Sequence, residues 1–559
     1  MRPKRSSLVI IPTFSAIFKE RKEDVIAKLK TEGLAEKFVV YTTSISCLLY
    51  TTQIKNVDVQ KKILKEFWDV LMNTGDGLVI QKWLISHNIE SLNMNNYTLM
   101  EMYHILLKHK NGRCENLSIS TDEKLIYLKL VLIANDDRAR NTNRFFETLA
   151  TITSEERFAY EKMFWPLLLQ ETDVNESIRI EYEMFRLKYF IDGITNEYPI
   201  LKDVINSFFK EKGFDDYRTY ASCIAIFFLD YITSFTNNNE MKLGIKCDGK
   251  IQKMLHPLMI NNVVVDSYLS LKAHPVYYYK GTYYIIHWNY LLSQIFIGTF
   301  MALKARIEPC GFKELKKKAG MIMEGAFLKN ILTVAFGKLW QQALFDDNKE
   351  GLPDAMFRMG NNLFVIELKD NLMRDDVMES CDYEYIEKYL YKTFIRSSEK
   401  RMKGITQLCS YIKNFINNKY EKKGFPYNGK LNIYPIIMYT DYKYRINGFN
   451  HYLGENFKEL VKTDDLLMSV KHRLHPLTAI GLDCMFNLQM TFQHKKIKFG
   501  DAIDQYHKHI KLKAKRDANK GIDKYSQLYP SFDRYIPENR NIVINKEDEI
   551  KAIFKVFFD

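Results

Sequence analysis

The chain has eight cysteines, and no two of them form a C-x-x-C pair: Cys47, Cys114, Cys223, Cys247, Cys310, Cys381, Cys409 and Cys484 are scattered. That absence argues against zinc ribbons and disulfide scaffolds and makes reduced, cytoplasmic thiols the simplest expectation. A uniformly apolar run of the ~20 residues that a membrane span needs is also missing. The most lipid-like stretch, 283–303, is interrupted by His287, Asn289, Ser293 and Gln294. Nor does the start read as a leader. Arg2, Lys4 and Arg5 precede the apolar stretch 8–18, but Pro12 breaks it, and KERKED follows where a small-residue cleavage site should stand. No membrane partner is expected.

Proline is sparse between residues 20 and 242, and no fixed repeat period is visible in that region, so no solenoid is expected. Amphipathic segments dominate instead, among them 59–72, 99–108, 123–133 and 144–149, separated by polar breaks such as Lys110-Asn111-Gly112-Arg113 and Asn237-Asn238-Asn239. The region is therefore expected to be all-helical. With no catalytic motif in it, its expected role is recognition, dimerisation or docking of a protein partner. Its aromatics, such as Phe145, Phe158, Phe164 and Trp165, read first as core packing.

With 559 residues the chain is too long for one core, and two to four domains is about what its length allows. A formal charge of +13 favours a polyanionic partner, although 68 acidic residues dilute the excess. A change of texture comes after residue 246. There VYYYKGTYYIIHW sets two β-prone aromatic runs around Lys280-Gly281, the pattern of a hairpin. The 246–310 segment reads as a helix-plus-hairpin connector or a small winged module. Its His256, His274 and His287 lack metal spacing and read as structural.

The chemistry gathers in PDAMFRMGNNLFVIELKD, residues 353–370. Gly360-Asn361-Asn362 separates two apolar runs, which predicts a β-hairpin. The second run is continuous, as expected of a strand buried on both faces, and it ends in Glu367-Leu368-Lys369. Side chains alternate along a strand, so Glu367 and Lys369 share a face and Leu368 points away. Closing the hairpin brings Asp354 towards Glu367, giving two carboxylates and an ammonium around one point. Two hard oxygen ligands suit Mg²⁺, which leaves its other positions to water and phosphate. The same tripeptide at Glu314-Leu315-Lys316 lies in a polar helical stretch with no upstream Asp, so context rather than the triplet carries the signal.

A Pro-Asp followed after a hairpin by Glu-x-Lys resembles the PD-(D/E)XK nuclease superfamily, the restriction-endonuclease-like proteins, over residues 315 to 445. Upstream, 321–336 has helical apolar spacing and carries Glu324, in the slot where that superfamily often keeps an acidic residue. Downstream, 398–418 is expected to be a helix with a buried stripe of Ile405, Leu408, Ile412 and Phe415. On it Gln407-x-x-x-Tyr411 matches the motif of the RecB-like and Cas4-like branch, preceded by Lys400 and Lys403. A strand at 431–440 then completes an αβββαβ order. The resemblance implies a multidomain α + α/β protein: a helical region 1–245, the connector 246–310, a nuclease core 311–450, and a mixed extension 451–559 packed on that core. It implies hydrolysis of nucleic-acid phosphodiesters, DNA ahead of RNA, in restriction or defence against mobile DNA. Mg²⁺ or Mn²⁺ would be held by Asp354, Glu367, the Leu368 carbonyl and Glu324. Lys369 would position the water, and Gln407, Tyr411 and Lys403 would hold the substrate. The rival expectation is a catalytically inactive scaffold that binds nucleic acid or protein through the helical half.

Two further stretches frame the core. The insertion 371–396 carries Asp375, Asp376, Glu379, Asp382, Glu384 and Glu387, which repel phosphate, so it either faces away from the substrate or forms a lid or docking surface. In the extension, His507 and His509 diverge on a helix and make a poor metal pair. Lys511, Lys513, Lys515 and Arg516 that follow read as a solvated face ahead of a phosphate-binding one.

Overall fold

The computed structural model describes residues 11–538 apart from 32, 56–58, 88, 90, 93, 112–113, 115, 152–155, 176–179, 239–243, 248, 262, 266, 347–350, 399–400, 495–496, 519 and 521. Contacts gather the chain into two compact units that interleave in sequence: Leu8–Phe146 with Asp203–Leu303, and Glu147–Lys202 with Lys304–Asp559. This grouping cuts across the sequential division at 245 and 310. Residues 147–202 belong with the sheet-bearing unit, and the hairpin segment belongs with the first helices.

In the first unit, helices such as Val59–Glu66, Trp68–Asn73 and Asn96–Lys108 form where apolar residues recur at helical spacing. Asn95 starts the last of these by accepting the Thr98 N–H at 2.9 Å. Rings of Tyr41, Phe67 and Tyr127 pack edge-on and stacked in its core. The expected hairpin is present as β1 (Val276–Tyr279) and β2 (Thr282–Ile285). Its two-residue turn holds Lys280 at φ 45° and Gly281 at φ 76°, the double positive φ that matches strand twist.

The second unit is built on a five-stranded mixed sheet. Its strands are β3 (Gln342–Phe345), β4 (Ala355–Met359), β5 (Asn362–Lys369), β8 (Asn432–Tyr439) and β9 (Thr478–Gly481), in the order β3-β4-β5-β8-β9. β3, β4 and β5 run antiparallel, whereas β5, β8 and β9 run parallel. A small separate hairpin pairs β6 (Arg396–Ser398) with β7 (Arg401–Met402). The helices that matter here are α1 (Ala159–Asn175), α2 (Ile180–Glu197), α3 (Leu315–Phe336), α4 (Ile405–Ile416), α5 (Phe449–Lys462), α6 (Leu482–Gln493) and α7 (Phe499–Asp517).

β5 follows from its sequence. Leu363, Phe364, Val365, Ile366 and Leu368 are all wholly buried, each worth ~1.5–3 kcal/mol relative to exposure. The odd-numbered residues face one layer, where Leu363, Val365, Ile433 and Ile437 join Leu408, Ile412 and Phe415 of α4. On the other face Phe336 of α3, Phe357, Phe364 and Phe499 of α7 form a run of ring contacts 5.0–5.2 Å apart. Parallel strands need a crossover, and α4 supplies it between β5 and β8. By length and composition α3 would suffice to cross a membrane. Here Leu328, Ile331, Leu332 and Ala335 are wholly buried, and the helix packs against α6.

Three expectations change. Residues 398–404 are not the first turns of a helix: the chain runs through β6 and β7, with Lys400 outside the described residues, and α4 starts at Ile405. The acidic insertion, expected to face away from the substrate or to form a lid or docking surface, is partly built into the core. Asp375–Glu379 and Tyr383–Leu390 are helices whose Val377, Met378, Ile386 and Leu390 join the core around Trp165 of α1. Part of its charge is also partnered, as Asp376 with Arg374 and Glu387 with the Tyr452 hydroxyl. The extension after 451 does more than pack on the core, since β9 is the fifth strand of the sheet itself. The closing IKAIFKVFFD lies outside the described residues.

Candidate active site

The hairpin closes as its sequence requires. Gly360, at φ 60°, and Asn361 form the turn, and Met359 pairs with Asn362. Continuing the Ala355↔Ile366 register by one step sets Asp354 opposite Glu367. Asp354 Oδ2 accepts the Leu368 N–H at 2.5 Å, which fixes the carboxylate at the strand end. Glu367 and Lys369 project to the α4 side, and the Lys369 ammonium donates to Glu367 Oε1. It also reaches Gln407 Oε1, 3.1 Å away. Gln407 thus joins the strand end to the helix start, because the same oxygen accepts the Gly404 N–H at 3.0 Å. Its amide nitrogen lies 3.5 Å from the Tyr411 hydroxyl.

Burial sets the electrostatics. Glu367 is 3% exposed, and its Oε2 is buried without a well-formed hydrogen bond. Desolvation raises its pKa, against the pull of Lys369 and with a smaller push from Asp346, while the nearby Tyr411 hydroxyl favours the carboxylate. Asp354 is pushed well above the usual carboxylate range by burial and by the charges of Glu367 and Glu324. Glu324 lies in a π-helical turn of α3, Met323–Phe327, a local widening often found at functional sites. Burial lifts it to about 7, Lys369 opposes the rise, and Asp370, Glu367 and Asp346 add to it. Burial alone would lower Lys369, yet Glu367 and Asp354 hold it above its ordinary value.

Glu367, Lys369 and Gln407 are therefore joined by direct bonds, and Asp354, anchored beside them by the Leu368 N–H, is coupled to them through charge, as are Glu324 and Tyr411. Lys403 is placed just before α4, where its N–H donates to Thr406 Oγ1 at 3.0 Å. It is not among the main charges acting on Glu324, Asp354 or Glu367. Three contributors escaped the sequence reading. Asp346, just past β3, acts on both glutamates. Asp370 accepts the Thr440 hydroxyl at 2.6 Å and faces Arg186 of α2, 3.5 Å away. For Asp346 and Asp370 the available signal was position, since each immediately follows a strand. Arg186 gave none, being one charge on an amphipathic helix.

Among the described residues no three His, Cys, Asp or Glu side chains stand in a metal-holding geometry. The donor set nonetheless has the chemistry of a divalent-cation site. It is acidic, oxygen-only and short of positive charge, with Oε2 of Glu367 left over and Lys369 supplying one positive charge to three carboxyls. No family model matches the chain, and no curated protein or solved structure does either.

Proposed function

We propose that the protein is a metal-dependent nuclease of the PD-(D/E)XK type, cutting nucleic-acid phosphodiesters, DNA ahead of RNA. The observation that carries the reading is the convergence of Asp354, Glu367 and Lys369 at the β4–β5 strand ends, with Gln407 and Tyr411 on the crossover helix beside them. The element order supports it as well: a helix bearing Glu324, three antiparallel strands, a helix and a parallel strand.

Asp354, Glu367, the Leu368 carbonyl and Glu324 are the groups to hold Mg²⁺ or Mn²⁺. Bound there, the ion supplies charge neutralisation at the phosphate and acidifies a water. Lys369 is fixed by Glu367 and Gln407, so its ammonium is preorganised to orient the attacking water and to offset charge gathering on the phosphate oxygens. Gln407 has one amide hydrogen-bonding edge committed to the protein, and with Tyr411 it forms the wall against which a substrate strand would rest. A place in restriction or defence against mobile DNA, inside the cell, belongs to the same proposal.

The test is cleavage of single- and double-stranded DNA and RNA with Mg²⁺ or Mn²⁺, comparing the unaltered chain with Glu367→Gln. Metal-dependent cutting that vanishes in the variant supports the reading. Equal cutting by both removes this site as the catalyst. No cutting, together with no Mn²⁺ binding, leaves a nuclease-fold scaffold.

A further inference from the structure

Away from the strand ends that carry Lys369, the sheet finishes at β9, two strands beyond β5. There a cavity of about 620 Å³ opens between α5, α7 and the residues leading into β9. Its volume is that of a small-molecule site, roughly 300–1,000 Å³. Phe457, Leu477, Tyr506, Ile510 and Tyr529 give it an apolar floor, and none of the candidate active-site residues lines it.

Two features of the wall narrow the occupant. The His451 ring stacks on Tyr529 with centroids 4.1 Å apart and planes 18° apart, and both residues line the cavity, so its wall includes a paired aromatic step. His451 is held there by Nδ1 against Oε1 of the wholly buried Glu161, at 2.7 Å. His507 is fixed through Nε2 by the Thr478 hydroxyl at 2.8 Å. Burial lowers its pKa to about 4, so at neutral pH it presents an uncharged, hydrogen-bonding imidazole edge.

Charge defines the rim. Glu455 is neutralised by Lys458, and His451 by Glu161. Lys508 and Lys511, three apart on one face of α7, are exposed and have no ion pair among the described residues. The result is an apolar cavity with an aromatic step in its wall and two unneutralised ammonium groups at its mouth. An acyl chain would satisfy the floor but would use neither the imidazole edge nor the aromatic step.

We propose that this cavity binds a nucleoside monophosphate unit, with the base against the His451–Tyr529 wall and the phosphate at Lys508 and Lys511. Stacking and charge-assisted hydrogen bonds then act at opposite ends of one ligand. The unit can be a free mononucleotide or the phosphorylated end of a strand.

Isothermal titration calorimetry of the full chain tests this, using AMP, GMP, CMP, UMP, adenosine, inorganic phosphate, decanoate and a 5′-phosphorylated tetranucleotide. At least one monophosphate should bind. Lys508→Glu with Lys511→Glu, both exposed positions, should weaken it roughly tenfold or more, and Ala514→Trp, which fills the cavity, should remove it while the circular dichroism stays unchanged. Tighter binding of the tetranucleotide assigns the site to strand ends, and weaker binding assigns it to free mononucleotide. Failure of all four monophosphates, binding indifferent to both variants, or binding of decanoate alone would overturn the proposal. Repeating the titration in Glu367→Gln keeps this result separate from the fate of the nuclease reading.

Discussion

Gln407 and Lys369 meet at 3.1 Å, across the junction between a strand end and the first turn of a helix. The contact depends on how α4 begins. Gly404 takes φ 49°, and its N–H donates to the same Gln407 oxygen that faces the ammonium. A side chain on Gly404 would run into the Phe394 carbonyl.

Gly404→Ala should therefore cost about 2 kcal/mol of stability from steric clash and positive φ together, and Gln407→Ala about 1 kcal/mol from the lost cap. Urea unfolding monitored by circular dichroism measures both. Cutting should fall partly in Gln407→Ala, because Lys369 loses one of its two holds. An unchanged rate would mean that Glu367 alone positions the ammonium.

A second expectation concerns Arg186. It is 2% exposed on α2, facing Glu183 at 3.5 Å and Asp370 at 3.5 Å. Arg186→Met leaves the buried Glu183 and the half-buried Asp370 without their counter-charge, and breaking a buried pair costs roughly 3–5 kcal/mol. Because Asp370 directly follows Lys369, the variant should also lower cleavage. Loss of stability with cleavage fully kept would show that this clamp does not reach the strand end.

These two cases mark where the sequence was legible. The hairpin, β8 and α3 announce themselves locally, through Gly360-Asn361, a continuous apolar run and helical spacing. The first turns of α4 do not, because the stripe of Ile405, Leu408 and Ile412 continues backwards through polar residues that helix propensity accepts, while Gly404 actually stops it. β3 has only four residues on the sheet edge, mostly half-buried, so its alternation is faint. For α1 and α2 the periodicity shows that each has an apolar face. It does not say that the faces meet Tyr452 and Phe486 rather than the helices next to them in sequence.

The carboxyl cluster gives a pH prediction. The Glu324 carboxyl keeps its proton to about 7 in the folded chain, against 4.5 ordinarily. Between those values the folded state binds more protons than the unfolded one, so this group's contribution to stability falls as pH rises from about 4.5 to 7 and then levels. In EDTA, Glu324→Gln should be more stable than the unaltered protein at pH 8, and the gap should close by pH 5. Thermal unfolding across that range reads it. A gap that widens towards acid would refute the buried, proton-holding Glu324.

The last expectation separates metal binding from chemistry at Glu367 and Lys369. The ammonium donates to Glu367 Oε1 inside a cluster where burial raises the pKa of Glu324, Asp354 and Glu367, and the charge of Glu367 adds to the rise of the other two. It therefore stands where positive charge is wanted, and it competes with any cation for that oxygen. Removing it with Lys369→Met should leave Mn²⁺ affinity at pH 8 equal to or tighter than that of the unaltered protein. Cleavage should nonetheless fall by orders of magnitude, since the charge is needed most where negative charge develops in the transition state. Glu367→Gln behaves differently. It removes a ligand oxygen's charge and the partner of Lys369 at once, so Mn²⁺ affinity and cleavage should be lost together, while binding of nucleic acid in Ca²⁺-free buffer persists. Calorimetric Mn²⁺ titration beside single-turnover cleavage distinguishes the two patterns. If Lys369→Met lost Mn²⁺ binding as fully as Glu367→Gln, the lysine would be holding the site together rather than serving the reaction.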